Sequence, residues 1–313
     1  MTNLKLLTYN VDGLPETLDL NDLPWLFKPF VWIYKLIKGT TIITINDNVN
    51  KEENNDKIAN YLNSSDADII AIQEDFNYHN DLMSKLNKKY NCGTYLGGFD
   101  LSKIFSNTEW LTYFPLPRFK CDGLNLLAKK EKVTIIDETI ILWKKNCGYF
   151  SNANDALTHK GYRFYEIMKE NVKIGVYVIH MDANYYTAET IETPKDIKAR
   201  EAQLKQLAKD IIENSEGNNP LTIIMGDTNS YNQYSWDVDN LKKNLIEPIE
   251  STHNLTIQEV VPQNFTDCDR IYTISNVELL KTLNIKSCYF DKEMKGASDH
   301  FPLVCEIEFE KNS

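Results

Sequence analysis

Seven polar side chains stand where apolar segments stop, and their types are those of phosphate chemistry. Asn10 follows Leu4–Tyr9, Glu74 follows Ala67–Gln73, and His180 closes Val172–His180. Asp227 and Asn229 come just after Leu221–Met225, and Asp299 and His300 just before Pro302–Phe309. A side chain at the end of a strand is presented from a loop that a rigid scaffold holds in place. Asn, Glu and Asp offer the hard oxygen ligands that Mg2+ accepts alongside waters and a substrate phosphate. The two histidines and a further Asp can move protons and hold a phosphoryl oxygen. Asn229, two residues beyond Asp227, falls on the same side of an extended segment and can donate an amide N–H to developing charge. No Cys or Ser nucleophile has a base beside it in sequence, so attack of water on a metal-bound phosphate ester is the reaction such a set serves.

The segments that must carry these residues are many and short. Gly123–Ala128, Thr134–Trp143, Tyr162–Met168 and Arg270–Ile274 join those above as strands, by their β-branched or alternating character. Helical patterns lie between them. The clearest begins after Pro194, with Ile197, Leu204, Leu207 and Ile211 on one face and Gly217 beyond. Shorter ones cover Glu52–Leu62 and Asn80–Lys89. Helices interspersed through hairpin-joined strands predict two packed sheets with helices outside, as one domain over residues 1–313.

Composition narrows the partners. The 313 residues are 42% hydrophobic, too apolar for disorder, and 45 acids against 34 bases leave a formal charge of −11. A long-range basic field for gripping nucleic acid is therefore absent, although bound divalent cations can supply local positive charge to a nuclease. No run of about 18 apolar residues exists to span a bilayer. The apolar-basic insert at about 24–39 comes nearest, but it carries Lys28, Lys35 and Lys38, and Pro29 is expected to interrupt a regular helix. Trp25, Phe30, Trp32 and Ile37 in this insert could lie at a bilayer interface, or the segment could pack on the domain as a lid.

The blocks TYNVDGL, IIAIQED, YVIHMDA, IIMGDTN, DRIYTI and SDHFPLVCEIEF, in that order, resemble the endonuclease/exonuclease/phosphatase superfamily, the fold of deoxyribonuclease I. The resemblance spans Leu4 to Phe309. It implies an α+β four-layer αββα sandwich, with two mainly antiparallel sheets between outer helices. Glu74 then resembles the principal Mg2+ ligand (Mn2+ being a substitute), with Asn10 beside it. His300 resembles the base that activates water, with Asp227 orienting its ring. Asp299 is similar to the residue that helps hold a metal or its water. Asn229 and His180 resemble contacts to phosphate oxygens, with His180 assisting the leaving group. Asp269, opening DRIYTI, matches a supporting position, or stabilises a turn as a strand-edge acid.

The superfamily serves several phosphoesters, so the fold does not name the substrate. Asp155 followed by Lys160-Gly161 before an alternating strand resembles the Asp…Lys-Gly element of neutral sphingomyelinases, in which the lysine lies near the phosphate. Arg200-x-x-Gln203-Leu204 occurs in several branches. NVDGL with GDTN also resembles the 5′-tyrosyl-DNA phosphodiesterases. A phospholipid head-group phosphodiesterase is the favoured expectation, with a nucleic-acid phosphodiesterase as the alternative. An inactive binding module is the third class, opposed by the presence of every principal residue.

The N-terminal MTNLKLLTYNVDG has no secretory apolar core, and the six cysteines form no C-x-x-C pair. A cytoplasmic chain, at most peripheral at membranes, is the expectation. All of Cys92, Cys121, Cys147, Cys268, Cys288 and Cys305 should then be free thiols. Thiol counting under denaturing, non-reducing conditions should return six, and a count of zero would contradict the expectation.

Overall fold

The computed structural model describes residues 1–13, 17–19, 28–44, 51–76, 78–86, 88–96, 99–100, 118–119, 121–146, 158–183, 194–215, 219–262 and 265–312. In chain order the strands are β1 (Thr2–Asn10), β2 (Thr17–Asp19), β3 (Ile42–Thr44), β4 (Ile69–Gln73), β5 (Tyr90–Cys92), β6 (Phe99–Asp100), β7 (Arg118–Phe119) and β8 (Asn125–Lys129). There follow β9 (Thr134–Leu142), β10 (Gly161–Lys169), β11 (Val172–His180), β12 (Leu221–Asp227), β13 (Leu255–Val260), β14 (Asp269–Asn276), β15 (Leu280–Phe290) and β16 (Leu303–Lys311). The helices are α1 (Lys28–Lys38), α2 (Lys51–Ser64), α3 (His79–Lys85), α4 (Pro194–Ser215), α5 (Ser235–Leu241) and α6 (Glu247–Glu250), the last two joined by a π-helical turn.

Six strands form one sheet in the order β15-β16-β1-β4-β8-β5, and six form another in the order β13-β14-β12-β11-β10-β9. Alternation along each strand decides what lies between them. Leu4 and Leu6 of β1, Ile69 and Ala71 of β4, Val176 and Val178 of β11, Ile223 and Met225 of β12, and Ile271 of β14 share one buried cluster, the inter-sheet core. The residues of opposite parity face outward under helices. Leu7, Tyr9, Ile70 and Ile72 pack with Ile58 and Leu62 of α2 and Leu82 of α3. Tyr177, Ile179, Ile224 and Tyr272 pack with Leu204, Leu207 and Ile211 of α4. The expected αββα order is thus observed.

Parity also aims the polar residues. Asn10, His180, Asp227 and Asp269 continue the inward-facing sequence of their strands, so they project into the end of the inter-sheet space. Register brings them level: His180 pairs with Asp227 and Asp227 with Asp269 across the second sheet, while Asn10 pairs with Gln73 in the first. The turn carrying Ser298, Asp299 and His300 reaches the same end because β16 runs antiparallel to β1, with Leu303 opposite Thr8.

Two expectations need correction, and two strands were not anticipated. Pro29 does not interrupt a helix: it lies at the second residue of α1, where a missing N–H leaves no intrahelical bond unmade. The helix expected over Asn80–Lys89 ends at Lys85, because Tyr90 already pairs with Lys129 in the sheet. β13 and β15, both sheet edges, escaped the sequence reading, since their half-exposed alternation includes many polar residues. Among the described residues, no helix is long and apolar enough to cross a membrane.

Gly226 secures the end of β12. Its φ is +141°, and a Cβ there would lie 2.1 Å from the Ile179 carbonyl oxygen on the adjacent strand. Gly226→Ala is expected to destabilise the fold by at least about 3 kcal/mol in urea unfolding. A loss under about 1 kcal/mol would show that β11 and β12 can separate at this point without penalty.

Candidate active site

Glu74 and Asp227 come from facing sheets, and one amide joins them. Asn10 Nδ2 donates to Glu74 Oε1 at 3.0 Å and to Asp227 Oδ2 at 3.2 Å. The amide is oriented by the Asp12 N–H, which donates to Asn10 Oδ1 at 3.1 Å. Asn10 therefore presents N–H groups to the two carboxylates, in the role of a brace for Glu74. Glu74 itself has φ +59°, an uncommon conformation for a side chain of its size. Its carbonyl holds the turn by accepting from Gly13 N at 3.0 Å and Phe76 N at 2.8 Å.

His180 faces both carboxylates, with Nε2 3.8 Å from Glu74 Oε1 and 3.7 Å from Asp227 Oδ2. Burial, reinforced by the Lys160 charge, holds its pKa well below 6.5, so the ring is neutral at neutral pH. The Trp143 indole N–H donates to the His180 carbonyl at 2.8 Å, which anchors the strand end. Lys160 donates from Nζ to Met181 O at 3.2 Å, and its charge acts on Glu74, His180 and Asp227.

His300 closes the site from the β16 side. Its Nδ1 lies 2.6 Å from Asp269 Oδ2, and its Nε2 lies 4.0 Å from Asp227 Oδ2 and 3.9 Å from Asp299 Oδ1. The residue that orients the ring is accordingly Asp269, not Asp227 as expected from sequence. Asp269 is the next inward residue across the sheet from Asp227, and its carboxylate meets the ring edge. Asp227 instead faces the other nitrogen. Ser298, missed as a site residue although it precedes the Asp299-His300 pair, ties this turn to β1. Its Oγ donates to Asn10 O at 2.7 Å and accepts from His300 N at 3.1 Å.

A second correction concerns Asn229. It is not in an extended segment: its φ is +48°, and its N–H donates to Asp227 Oδ1 at 2.7 Å. This tight turn brings Asn229 back over the strand end, where Nδ2 donates to Met181 O at 3.0 Å. Asp299 is present at the rim with a side chain 72% exposed. Asp155 and Trp25 lie outside the described residues, as does the side chain of Phe30.

The titration of the site follows from burial. Removal from water pushes Glu74 up to about 7, although Lys160 and the Asn10 amide pull the other way. Burial also raises Asp227, but the two histidines hold its pKa below the usual carboxylate value. Burial alone would lower His300; the Asp269 carboxylate beside it prevails and carries the ring well above 6.5. Asp269 is raised to about 7 by the same burial, although His300 beside it pulls the other way. Glu74, lifted to about 7 with its side chain 19% exposed, and Asp299 at the rim are hard oxygen donors. That donor set fits Mg2+ or Mn2+.

The chain belongs to the Endonuclease/Exonuclease/phosphatase family, whose profile matches residues 7–275. Its fold is that of known phosphoester hydrolases. A Staphylococcus aureus beta toxin mutant with bound magnesium ions superposes with TM-score 0.60 at 18% identity, covering 97% of this chain and 99% of that one. Sphingomyelinase C from Streptomyces griseocarneus gives 0.59 at 14% identity, covering 98% and 99%. D. rerio TDP2 with a single-strand DNA product gives 0.55 at 14% identity, covering 98% and 100%. No curated protein matches the chain significantly.

The two histidines should titrate in opposite senses. In NMR titrations of the cation-free protein, His300 should remain protonated above its ordinary 6.5, whereas His180 should stay neutral to well below it. Asp269→Asn removes the charge that favours imidazolium, so the His300 midpoint should fall. An unmoved midpoint would remove Asp269 as the cause.

Proposed function

We propose that the chain hydrolyses a phosphodiester with a divalent cation, and that the substrate is a phospholipid head group. The observation that carries the reaction is His300 itself, a ring anchored at Nδ1 by Asp269 with Nε2 turned toward the carboxylates opposite. Glu74 would hold Mg2+ or Mn2+, braced by Asn10 and with Asp299 nearby; when bound, such an ion polarises a phosphoryl oxygen and acidifies its water. Above its raised midpoint His300 is neutral, with the proton on Nδ1 toward Asp269; Nε2 then takes the proton of the attacking water as the new O–P bond forms, and Asp269 stabilises the resulting imidazolium. Lys160, Asn229 and neutral His180 face the phosphoryl oxygens with donors. The bond from phosphorus to the leaving oxygen breaks, and that oxygen takes up a proton from solvent and departs as the alcohol. Asp227 keeps the two histidines in place by charge.

The lipid reading is supported by α1. Trp32, Ile33, Leu36 and Ile37 are 64%, 48%, 65% and 73% exposed on this helix, while Val31 turns inward. Lys28, Lys35 and Lys38 are exposed with them. Apolar side chains flanked by lysines suit the acyl–head-group boundary of a bilayer. The sphingomyelinase C likeness and the Lys160-Gly161 element favour the same substrate. The likeness to TDP2 with its DNA product supports the nucleic-acid alternative.

Purified protein with Mg2+ should be offered sphingomyelin vesicles, single-stranded DNA and a 5′-tyrosyl oligonucleotide side by side. Release of phosphocholine is expected, EDTA should abolish it, and Glu74→Gln and His300→Ala should each lower turnover about 10²–10⁴-fold. Cleavage of DNA alone would replace the lipid reading by the nucleic-acid one. Undiminished activity of His300→Ala would remove the proposed base.

The double change Trp32→Ser with Ile37→Ser should weaken co-sedimentation with vesicles by about tenfold or more, since each buried apolar side chain contributes about 1.5–3 kcal/mol. Hydrolysis of a small soluble diester should be spared. Equal sedimentation of the parent and variant proteins would exclude α1 as the contact.

A further inference from the structure

On the Asp269 side of His300 gathers a donor set of different chemical character. One ligand atom from each of Asp267, Cys268, Asp269 and His300 lies within 4.8 Å of the other three. In a fully extended segment Cys268 would point away from its two acidic neighbours. Here the chain bends, with the Cys268 N–H donating to Asp267 Oδ1 at 2.8 Å, and Cys268 Sγ comes to 3.7 Å from that oxygen. Asp269 Oδ2 is engaged by His300 Nδ1 at 2.6 Å, but its fully buried Oδ1 has no hydrogen-bond partner. A buried carboxylate oxygen without a donor is costly to maintain and is satisfied by a cation. Asp267 and His300 are only partly buried, which leaves the cluster open to solvent on that side.

Thiolate, imidazole and carboxylate together are a zinc ligand set, whereas Mg2+ keeps to oxygen. Tetrahedral zinc, with bonds of about 2.0–2.3 Å, holds its ligand atoms roughly 3.3–3.8 Å apart. The four atoms can close on such an ion through small side-chain shifts.

We propose that Asp267, Cys268, Asp269 and His300 form an inhibitory site for a thiophilic divalent cation, Zn2+ by its chemistry, separate from the Mg2+ position at Glu74. Binding to the neutral ring releases the thiol proton to solvent, puts the metal on Nδ1, and moves the imidazole proton from Nδ1 to Nε2. A neutral imidazole metallated at Nδ1 carries its remaining proton on Nε2. That nitrogen then has no lone pair for the attacking water. The site stands on its own geometry; its effect on turnover rests on the proposed role of His300.

Co2+ serves as the spectroscopic probe and Zn2+ as the inhibitor, both in excess Mg2+ with the full chain kept reduced. One equivalent of Co2+ should bind with a thiolate-to-cobalt charge-transfer band, which Zn2+ removes. Zn2+ should also stop hydrolysis of bis(4-nitrophenyl) phosphate, with more Mg2+ failing to restore it. Cys268→Ser should abolish the band, leave turnover without zinc intact, and raise the half-inhibiting Zn2+ concentration by about 10- to 100-fold or more. Asp267→Asn, at a partly exposed position, should weaken Zn2+ in the same direction and decides the matter if Cys268→Ser fails to fold. Absence of the band, its persistence in Cys268→Ser, or equal Zn2+ binding by the parent and Asp267→Asn proteins would overturn the site. A band with no loss of turnover would leave the metal site standing and remove its inhibitory role, together with the role of His300 as base.

Discussion

Two carboxylates that repel each other are held on facing sheets by a single amide, and the site is arranged around that constraint. Glu74 and Asp227 both accept from Asn10 Nδ2, so they lie within a few ångströms of one another. At about 5 Å and an effective dielectric constant of about 20, two full charges oppose each other by roughly 3 kcal/mol. The protein answers unequally. Asp227 keeps its charge because His300 and His180 face it, whereas burial pushes Glu74 up to about 7. The imbalance is what a cation at Glu74 would relieve, and it ties metal affinity to the packing of the two sheets.

Positioning relies on strand register more than on loop structure. Parallel pairing of β1 with β4 and of β11 with β12 ends each pair at the same level, so Asn10, Gln73, His180 and Asp227 emerge together. Antiparallel β14 begins where β12 ends, which sets Asp269 beside Asp227. Glu74 and Asn229 follow directly on strand ends in tight turns, while His300 and Asp299 come from the turn before β16, which Ser298 fastens to the end of β1. A shift of one residue in any of these strands would turn its polar end outward. The hydrophobic parity that builds the inter-sheet core therefore also aims the chemistry.

Much of this parity was legible in the sequence. The apolar runs ending in Asn10, Gln73-Glu74, His180 and Asp227 name the inner strands, and their order carries the family resemblance. The division of labour between two aspartates was not legible. Asp227 and Asp269 are equivalent as residue types, and only cross-strand register decides which one meets Nδ1 of His300. Asn229 was misread for a related reason: spacing by two implies a shared side only in extended backbone, and its left-handed φ breaks that rule. Edge strands such as β15 hid because one face and much of the edge are solvated, leaving no continuous apolar run. The Asp267-Cys268 bend was invisible, since it depends on a backbone hydrogen bond to a side chain.

The rigid strand ends explain the reaction class better than they explain the substrate. In the proposed mechanism Asn10, Glu74, Asp227 and His300 would serve the phosphate, the water or the cation rather than the groups esterified to phosphorus, so none of them would distinguish one phosphodiester from another. Selection must come from parts that differ between branches. The β2–β3 ribbon brackets α1 as an excursion after β1, and Lys160 stands immediately before β10. With a net charge of −11, the chain has no global attraction to either an anionic bilayer or DNA. In the proposed lipid reading, the preference would act over the few ångströms in which α1 offers exposed tryptophan, leucine and isoleucine beside three lysines. Such a face gains from an apolar interior beneath a polar head group, and nucleic acid provides no equivalent interior. On physical grounds α1, more than the catalytic frame, is where a lipid substrate would be told from a nucleic acid.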